Sequence, residues 1–399
     1  MQRGQIHFSR TLALPDELRV TRSRRAPELG PRVLFLSGGT ALRQLSQALK
    51  RYTHNSIHLV TPFDSGGSSA ELRSAFGMLS VGDLRNRLMA LADETVRGNP
   101  EIYRLFAHRL SKNESPDTLR RHLGALADGS DPRVSSVPEP LRQLVRTQLR
   151  FFCEAMPSDF DLRGASIGNL ILAGGYLSNE RRIDSVLFLF SRLVEVRGRV
   201  LPSAEADLHL AARLEDGTEI VGQHRLTGKE EAPIASKVGD FYLVDSLDSP
   251  KRAEVRATDR ALRRIQEADV ICYPMGSFYT SLLANLLPIG MGAGIASAHC
   301  PKVYIPNMGH DPEQLGMSLG ESVERIVTLV RRDAGPDVPV SQIVSCVLVD
   351  TRRGVYPRSI DSVKLKELGV QVVDLDLVSD ESEPWIDSDR LSQVLVSLG

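Results

Sequence analysis

An apolar segment that leads through a glycine turn into an amphipathic helix constrains the fold of this 399-residue chain more than any other feature. Residues 57–61, IHLVT, have the apolar character of a buried strand. Asp64 stands where the chain leaves that strand, and Gly66 and Gly67 allow backbone angles that are closed to other residues. Asp83 then precedes a helix whose leucines recur at helical spacing, which predicts Asp83 as its N-cap.

Polar groups of this stretch can converge on one phosphate-bearing ligand. The glycine turn supplies exposed backbone N–H groups, and two carboxylates and an arginine lie close to it in sequence. The alternatives are an ordinary surface turn at Gly-Gly-Ser-Ser and an Asp83 that only caps its helix. We predict a ligand site, with the residues Asp64, Gly66, Gly67, Ser68, Ser69, Asp83, Arg85 and Asn86 as its candidates.

Two further strands run into glycine turns. The apolar segments Val33–Leu36 and Asp269–Tyr273 are each followed by a turn and a helical pattern. Free N–H groups at such helix starts can hold phosphate, and open parallel sheets bind ligands where the topology reverses. We therefore predict that the two turns share one crevice. Their candidate phosphate-binding residues are Gly38, Gly39, Thr40, Gly276, Ser277 and Thr280.

The rest of the chain predicts an α/β fold with two additions. A helical insertion is expected at about residues 100–160, and a β-hairpin at Leu208–Leu214 and Thr218–Leu226, where Asp-Gly supplies the turn. The segment Gly164–Leu177 is a helix of small residues, and Asn169 near its start is either a ligand contact or part of plain helix packing. Alternating apolar strands and helices imply a parallel sheet that is covered on both faces.

The remaining elements complete one domain. Residues 1–30 are predicted to be a polar N-terminal extension and residues 31–399 a single α/β domain. Further elements are predicted as helices at Ala253–Ala268, Ser318–Arg332 and after Asp389, and as strands at Lys302–Pro306, Ile343–Val349 and Val370–Leu375.

Composition limits the partners. The net charge is −1, so no overall field attracts nucleic acid or an anionic membrane. No apolar run approaches the roughly eighteen residues of a membrane span, and the first residues lack an apolar signal core. The four cysteines have no C-x-x-C spacing, which suits reduced thiols. We therefore predict a cytoplasmic protein with no nucleic-acid or membrane partner.

Familiar hydrolase motifs are not found in the context that they require. The sequence contains no H-E-x-x-H, and no G-x-S-x-G directly follows a predicted strand, so serine hydrolase and zinc protease interpretations lack support. His310 and Asp311 follow a predicted strand and could form a metal or proton-transfer pair, but a loop role is favoured because no companion histidine lies at ligand spacing.

Five sequence blocks resemble the superfamily of the 2-phospho-L-lactate transferase CofD and the gluconeogenesis factor YvcK. They occur in the family's order. Their residues are more similar to those of the YvcK branch and of CofD-like proteins of a bacterial gene cluster. The blocks are SGGTAL from Ser37, DSGGSS from Asp64, LSVGDLRNRLMALAD from Leu79, SIGNLILAG from Ser166 and ADVICYPMGSFYTSLLANLLP from Ala268.

The resemblance implies a Rossmann-like, doubly wound, mostly parallel sheet. It also implies that a nucleoside-diphosphate-linked ligand binds between the first glycine turn and Gly276, and it makes Asp64 the acid nearest the metal. CofD-type members transfer a phospholactyl or related phospho-acid group from a guanosine donor to a deazaflavin hydroxyl with Mg²⁺. YvcK-type members instead bind UDP-sugars and act as regulators.

This chain departs from its relatives at three positions. Ser65 stands where they carry a second adjacent acid, Ala41 replaces a glycine, and Met275 replaces a proline. We expect a Mg²⁺-dependent transferase with Asp64 and Asp83 as catalytic acids, Asp64 as the metal ligand and Arg85 as counter-charge. A non-catalytic UDP-sugar sensor is the alternative, and a homodimer is one open alternative for the oligomeric state.

Overall fold

Two sheets organise the protein. The computed structural model describes residues 11–39, 41–95, 98–228, 232–357 and 360–399. In chain order, the described strands are β1 (Val33–Ser37), β2 (Ile57–Val60), β3 (Arg199–Pro202), β4 (His209–Leu214), β5 (Glu219–Val221), β6 (Val238–Val244), β7 (Arg252–Ala253), β8 (Val270–Tyr273), β9 (Lys302–Tyr304), β10 (Cys346–Val349) and β11 (Gln371–Asp374).

Helices cover both faces of the larger sheet. The described α-helices are α1 (Glu17–Arg25), α2 (Arg43–Leu49), α3 (Gly67–Phe76), α4 (Gly82–Leu91), α5 (Pro100–Ala107), α6 (Pro116–Asp128), α7 (Pro132–Ser135), α8 (Leu141–Ala155), α9 (Ile167–Ser178), α10 (Ile183–Leu193), α11 (Gln223–Leu226), α12 (Asp259–Glu267), α13 (Met291–Ser297), α14 (Leu319–Ala334), α15 (Ser362–Glu367) and α16 (Ser388–Leu398). A π-helical turn at Phe278–Leu282 and a 3₁₀ turn at Leu283–Leu286 follow β8.

The larger sheet has seven strands in the order β11-β10-β9-β8-β1-β2-β3, and all of its neighbouring pairs are parallel. The chain moves from β1 to β3 on one side and from β8 to β11 on the other. The winding therefore reverses between β1 and β8, where doubly wound sheets bind ligands. The predicted α/β fold with a mostly parallel sheet is confirmed.

Both faces of this sheet are buried, as the side chains of β1 illustrate. Leu34 and Leu36 pack into an apolar cluster that includes residues of the smaller sheet. Val33 and Phe35 lie on the opposite face, in a cluster with residues of α2 and α16. Since side chains alternate across a strand, an unbroken apolar run is what a doubly covered strand requires.

The smaller sheet is antiparallel, has four strands and includes the predicted hairpin. Its first strand, β4, is confirmed, but the prediction that the second strand runs to Leu226 is wrong. Gly222, with φ +100, ends the strand after Val221, and Gln223–Leu226 forms the short helix α11. Helix α11 lies near the carboxyl ends of β1 and β8, where Gln223 and His224 line a cavity.

Other elements differ from the sequence-based predictions at their edges. The helix predicted at Ala253–Ala268 begins only at Asp259, because Arg252–Ala253 pairs with β6 and Thr258 caps the helix through Ala261 N. The strand β3 was not predicted. Its burial alternates between exposed or half-buried and buried residues, so it lacks a continuous apolar run.

The predicted helical insertion has its own core. Helices α5 to α8 fill this region, and their buried apolar residues cluster with those of α9 and α10 rather than with β1. Phe152 packs edge-on against Phe76 of α3 and against Phe160, with ring centroids 5.7 and 5.6 Å apart. The insertion is therefore anchored to α3, the helix that begins at the Gly66-Gly67 turn.

The described part of the N-terminal extension contacts the end of the chain. Asp16 N donates to Ser397 Oγ at 2.9 Å, and Arg19 Nη1 donates to the carbonyl oxygen of Ser397 at 2.8 Å.

Among the described residues, none of the helices combines the length and hydropathy that crossing a bilayer would require.

Candidate functional site

A cavity of about 260 Å³ opens at the carboxyl ends of β1 and β8. Its described walls come from the turn after β1, the turn after β2, the start of α4, the helix α11 and the turn after β8. Of the residues that the sequence predicts, Gly38, Gly39, Asp64, Gly66, Asp83, Gly276 and Ser277 line it. Thr40, also predicted, lies outside the described residues.

The first glycine turn is packed so closely that side chains would not fit. A Cβ on Gly38 would lie 2.2 Å from Ser281 Oγ, and a Cβ on Gly39 would lie 2.4 Å from Asp83 Oδ1. The absence of a side chain on Gly39 thus lets the Asp83 carboxylate approach the backbone of the turn. The two glycine turns also meet here, because Gly276, with φ +137, would place a Cβ 3.3 Å from that of Ala41.

A buried arginine holds this turn in place. Arg87 is 1% exposed, and its Nη2 donates to the carbonyl oxygens of Gly38 and Gly39, both at 2.9 Å. Its Nη1 donates to Ser46 Oγ of α2 at 2.7 Å. Burial lowers the pKa of Arg87 to about 10, and nearby Asp83 opposes this shift. Arg87 is not among the predicted site residues, although it lies on the leucine face of its helix, three residues after Leu84.

Asp64 lies in the turn after β2 and is held by two hydrogen bonds. Gly66 N donates to Asp64 Oδ1 at 3.1 Å, and Arg73 Nη1 donates to the Asp64 carbonyl oxygen at 3.1 Å. Arg73 is itself bound to Asp207 by Nε at 2.9 Å and by Nη2 at 2.7 Å. Gly67 has φ +49 and open space around its missing Cβ, so α3 begins with a left-handed residue at the surface.

Asp83 lies in the first turn of α4, and the prediction that it is the N-cap is wrong. The helix begins one residue earlier, at Gly82, and Val81 is the cap. A carboxylate in the first helical turn interacts favourably with the helix dipole. Asp64 lies beside the start of this helix, since a Cβ on Gly82 would lie 3.6 Å from Asp64 Oδ2.

Ser65 contacts a helix that the sequence analysis did not predict. Its Oγ lies 2.9 Å from His224 Nδ1, and its backbone N donates to Gln223 Oε1 at 3.2 Å. His224 and Gln223 both line the cavity. The φ of +100 at Gly222 and the absence of a side chain there leave room for the imidazole ring, because a Cβ would lie 2.7 Å from His224 Cε1.

Several predicted polar residues form a layer behind the cavity. Arg85 Nε donates to Asn169 Oδ1 at 3.2 Å, and Asn169 Nδ2 donates to Ser68 Oγ at 3.0 Å. Burial, Arg109 and Arg43 lower the pKa of Arg85 to about 10, while Asp83 opposes the shift. Of the predicted residues, Gly67, Ser68, Ser69, Arg85, Asn86 and Asn169 are not among the described lining of this cavity.

Most amides after β8 have intramolecular acceptors. Gly276 N donates to Asn307 Oδ1 at 2.8 Å, and Phe278 N donates to Asp311 Oδ2 at 2.8 Å. Thr280 is fully buried, and both its N and its Oγ1 donate to Glu313, at 2.9 and 2.6 Å. The predicted residue Thr280 thus lies behind the crevice wall, whereas Gly276 and Ser277 face the cavity.

The buried carboxyl of Glu313 should make the free energy of unfolding depend on pH. Burial and the neighbouring Asp311 raise the pKa of its carboxyl, and the donors of Thr280 and Tyr279 oppose this rise. In the unfolded chain the proton leaves near the ordinary pKa of about 4.3. Between that value and the raised folded pKa, the folded state binds more protons than the unfolded state. The free energy of unfolding should therefore fall as the pH rises through this interval.

Urea denaturation of the wild type and of Glu313→Gln, from about pH 5 to about pH 8, tests this dependence. The glutamine keeps an acceptor for the amides but does not titrate, so the difference in unfolding free energy between the two proteins should change with pH. A difference that stays constant over this range would contradict the raised pKa.

The acids suit a hydrated Mg²⁺ ion rather than an all-protein metal site. Among the described residues, no group of three or more histidine, cysteine, aspartate or glutamate side chains could hold a metal. Asp64 and Asp83 nevertheless line one cavity, and Mg²⁺ binds through one or two carboxylates together with water and phosphate oxygens. His310 and Asp311 line a neighbouring cavity, where Asp311 accepts from Phe278 N and Glu313 N.

Three curated relatives of this chain are named as gluconeogenesis factors, one of them as putative. It is 29% identical over 299 residues to the putative gluconeogenesis factor of Nostoc, a match that covers 74% of this chain and only 52% of that protein. It is 26% identical to the gluconeogenesis factor of Listeria monocytogenes, covering 89% of this chain and 91% of that one. The Bacillus subtilis gluconeogenesis factor is 28% identical, with coverages of 92% and 98%.

A solved structure has the same fold over nearly the whole chain. The crystal structure of a protein member of the UPF0052 family from Bacillus halodurans aligns with a TM-score of 0.66 and 25% identity, covering 92% of this chain and 99% of that one. The family described as 2-phospho-L-lactate transferase CofD matches residues 33–378, which include every described wall of the cavity. The chain therefore belongs to the CofD family and is a protein of the CofD and gluconeogenesis-factor type.

Proposed function

We propose that this protein is a Mg²⁺-dependent transferase that moves a phospho-acid group of the phospholactyl type from a nucleoside-diphosphate-linked donor to a hydroxyl acceptor. One observation carries this proposal. Asp64 and Asp83, which belong to different elements, line the same cavity as both glycine turns. Carboxylates for a metal ion and the backbone of the turn after β1 for a diphosphate, at one topological switch point, suit phosphoryl chemistry.

In this reaction the acceptor hydroxyl oxygen bonds to the phosphorus of the phospho-acid and its proton passes to solvent. The bond from that phosphorus to the bridging oxygen breaks, and a nucleoside monophosphate leaves. Positioning and charge stabilisation supply most of such catalysis. Asp64 and Asp83 would hold Mg²⁺, which when bound neutralises the charge of the phosphate oxygens. Arg87 keeps the carbonyls of Gly38 and Gly39 turned toward its own buried guanidinium group. With the carbonyls held there, the backbone N–H groups of the turn are the groups that would bind phosphate.

A non-catalytic regulator that binds UDP-sugars is the second candidate. It is supported by Ser65, whose hydroxyl is hydrogen-bonded to His224 and which, by the family resemblance, stands in place of a second acid. It is also supported by the names of the curated relatives, which are gluconeogenesis factors. A regulator of this type would use the same walls of the cavity for binding and would need no base.

Ser65→Asp separates the two candidates. The new carboxylate would lie next to Asp64 and within reach of His224, and general-base assistance is typically worth about 10²–10⁴-fold in rate. A transferase should therefore turn over a nucleoside-diphosphate-linked donor faster in the variant than in the wild type. Mass spectrometry of the nucleoside monophosphate and of the acceptor product, with a panel of GDP- and UDP-linked donors and hydroxyl acceptors, measures this.

Ser65→Asn is the matched control, because it has nearly the same size as aspartate and no charge. A gain with aspartate that is absent with asparagine would assign the effect to the carboxylate. Tight ligand binding by the wild type without product from any of the three proteins, over long incubation and across the panel, would exclude the transferase and leave the regulator.

A further inference from the structure

A second cavity extends the crevice beyond the glycine turns. Its volume is about 390 Å³, and it shares Ala41, Thr227, Met275, Gly276 and Ser277 with the cavity that contains Asp64. The two spaces therefore meet across the contact between Gly276 and Ala41. A ligand anchored by its phosphates at the first cavity would carry its other end over these residues into the second.

A tryptophan forms part of the second cavity's wall. Trp385 is the chain's single tryptophan, and it is 56% exposed, which is unusual for such a large apolar side chain. Its backbone is fixed nevertheless, because Trp385 N donates to the Ser382 carbonyl at 2.7 Å and Ser382 Oγ donates to the Trp385 carbonyl at 2.8 Å. The exposed ring is thus held on an ordered turn.

The indole ring lies directly against the backbone of the opposite wall. A Cβ on Gly309 would come within 2.7 Å of Trp385 Cζ3 and 2.9 Å of Cη2, so the ring occupies the space that any other residue would fill. Met275, Met308 and Ile386 add apolar and polarisable surface, and Gln44 adds a polar group. An aromatic face beside methionines suits a flat heteroaromatic ring with polar edges.

We propose that the second cavity binds the planar heteroaromatic base of the nucleoside-diphosphate-linked ligand, with one face of the base against the indole of Trp385. This inference rests on the proposed function, since it assumes that the phosphates lie at the glycine turns. It adds a specificity-determining residue, Trp385, to the groups that hold the phosphates. Loss of base stacking on an aromatic side chain is expected to weaken binding about 5- to 100-fold.

The single tryptophan makes the contact directly measurable. Titration of the wild type with UDP, GDP or ADP in the presence of Mg²⁺ should change the tryptophan emission, whereas inorganic pyrophosphate and ribose 5-phosphate, which lack a base, should leave it nearly unchanged. Calorimetry should show that Trp385→Ala lowers the affinity for the nucleoside diphosphates by the expected factor. The affinity for pyrophosphate should stay the same. Trp385→Phe keeps a ring and should restore most of the affinity.

Phe188→Ala is the matched control, because Phe188 is a 63% exposed aromatic residue of α10 that lines neither of these two cavities. It should leave all the affinities unchanged. Nucleoside diphosphates that bind Trp385→Ala as tightly as the wild type would overturn the base assignment while leaving the proposed function intact. An equal loss for pyrophosphate and nucleoside diphosphates would also overturn it. Absence of nucleoside diphosphate binding to the wild type would overturn both.

Discussion

Asp64→Asn should weaken the Mg²⁺-dependent binding of a nucleoside diphosphate about 10- to 100-fold, because interactions with a charged group are worth about 1.5–3 kcal/mol. Binding without Mg²⁺ should change much less. Asparagine still offers Oδ1 to Gly66 N, which donates to this atom at 3.1 Å, so the turn should keep its conformation. Calorimetric titrations with and without Mg²⁺, together with thermal unfolding of the ligand-free protein, measure both effects.

Two companion variants sharpen this result. Asp83→Asn should have a similar Mg²⁺-dependent effect, because Asp83 lines the same cavity. Asp216→Asn is the control, since Asp216 is exposed in the β4–β5 turn and accepts from Thr218 N at 2.9 Å. If ligand-free Asp64→Asn instead loses several kcal/mol of unfolding free energy, Asp64 is a structural residue and the metal assignment is wrong.

Arg87→Ala should lower the free energy of unfolding by about 3–5 kcal/mol, among the largest effects of any single substitution in this chain. The change removes the donors to the carbonyls of Gly38 and Gly39 and to Ser46 Oγ, and an unpaired buried acceptor costs about 1–3 kcal/mol. It also leaves a void where a fully buried side chain was. Urea denaturation with analysis of the midpoint and slope measures the loss.

Two further variants, Arg87→Lys and Arg104→Ala, are compared with Arg87→Ala. Lysine keeps the charge but cannot reproduce the fork that reaches both carbonyls, so an intermediate loss is expected. Arg104 is paired with Glu101 on α5 and its side chain is 73% exposed, so its removal should change little. An Arg87→Ala protein that stays within about 1 kcal/mol of the wild type would contradict the bracing role of Arg87.

Local patterns in the sequence were sufficient to predict the strands and turns that form the crevice. An apolar run followed directly by glycines, as at Val33–Gly39, can be interpreted without knowledge of its neighbours, because strand burial and glycine conformations are properties of adjacent residues. The positions of Asp64 and Gly276 at strand ends follow from the same patterns. The rule that parallel sheets bind ligands at their carboxyl ends then predicts that these turns meet, as they do in the cavity.

Only the tertiary structure determined which polar side chains serve this crevice. Arg87 meets the carbonyls of Gly38 and Gly39 from 49 and 48 residues away, and Ser65 meets His224 from 159 residues away. In the sequence, Arg87 shares the leucine face of its helix but its hydrogen-bond partners cannot be identified, and His224 belongs to a segment predicted as a strand. Burial, hydrogen-bond partners and glycine contacts depend on distant segments that pack together, and the periodicity of a single segment carries no information about them.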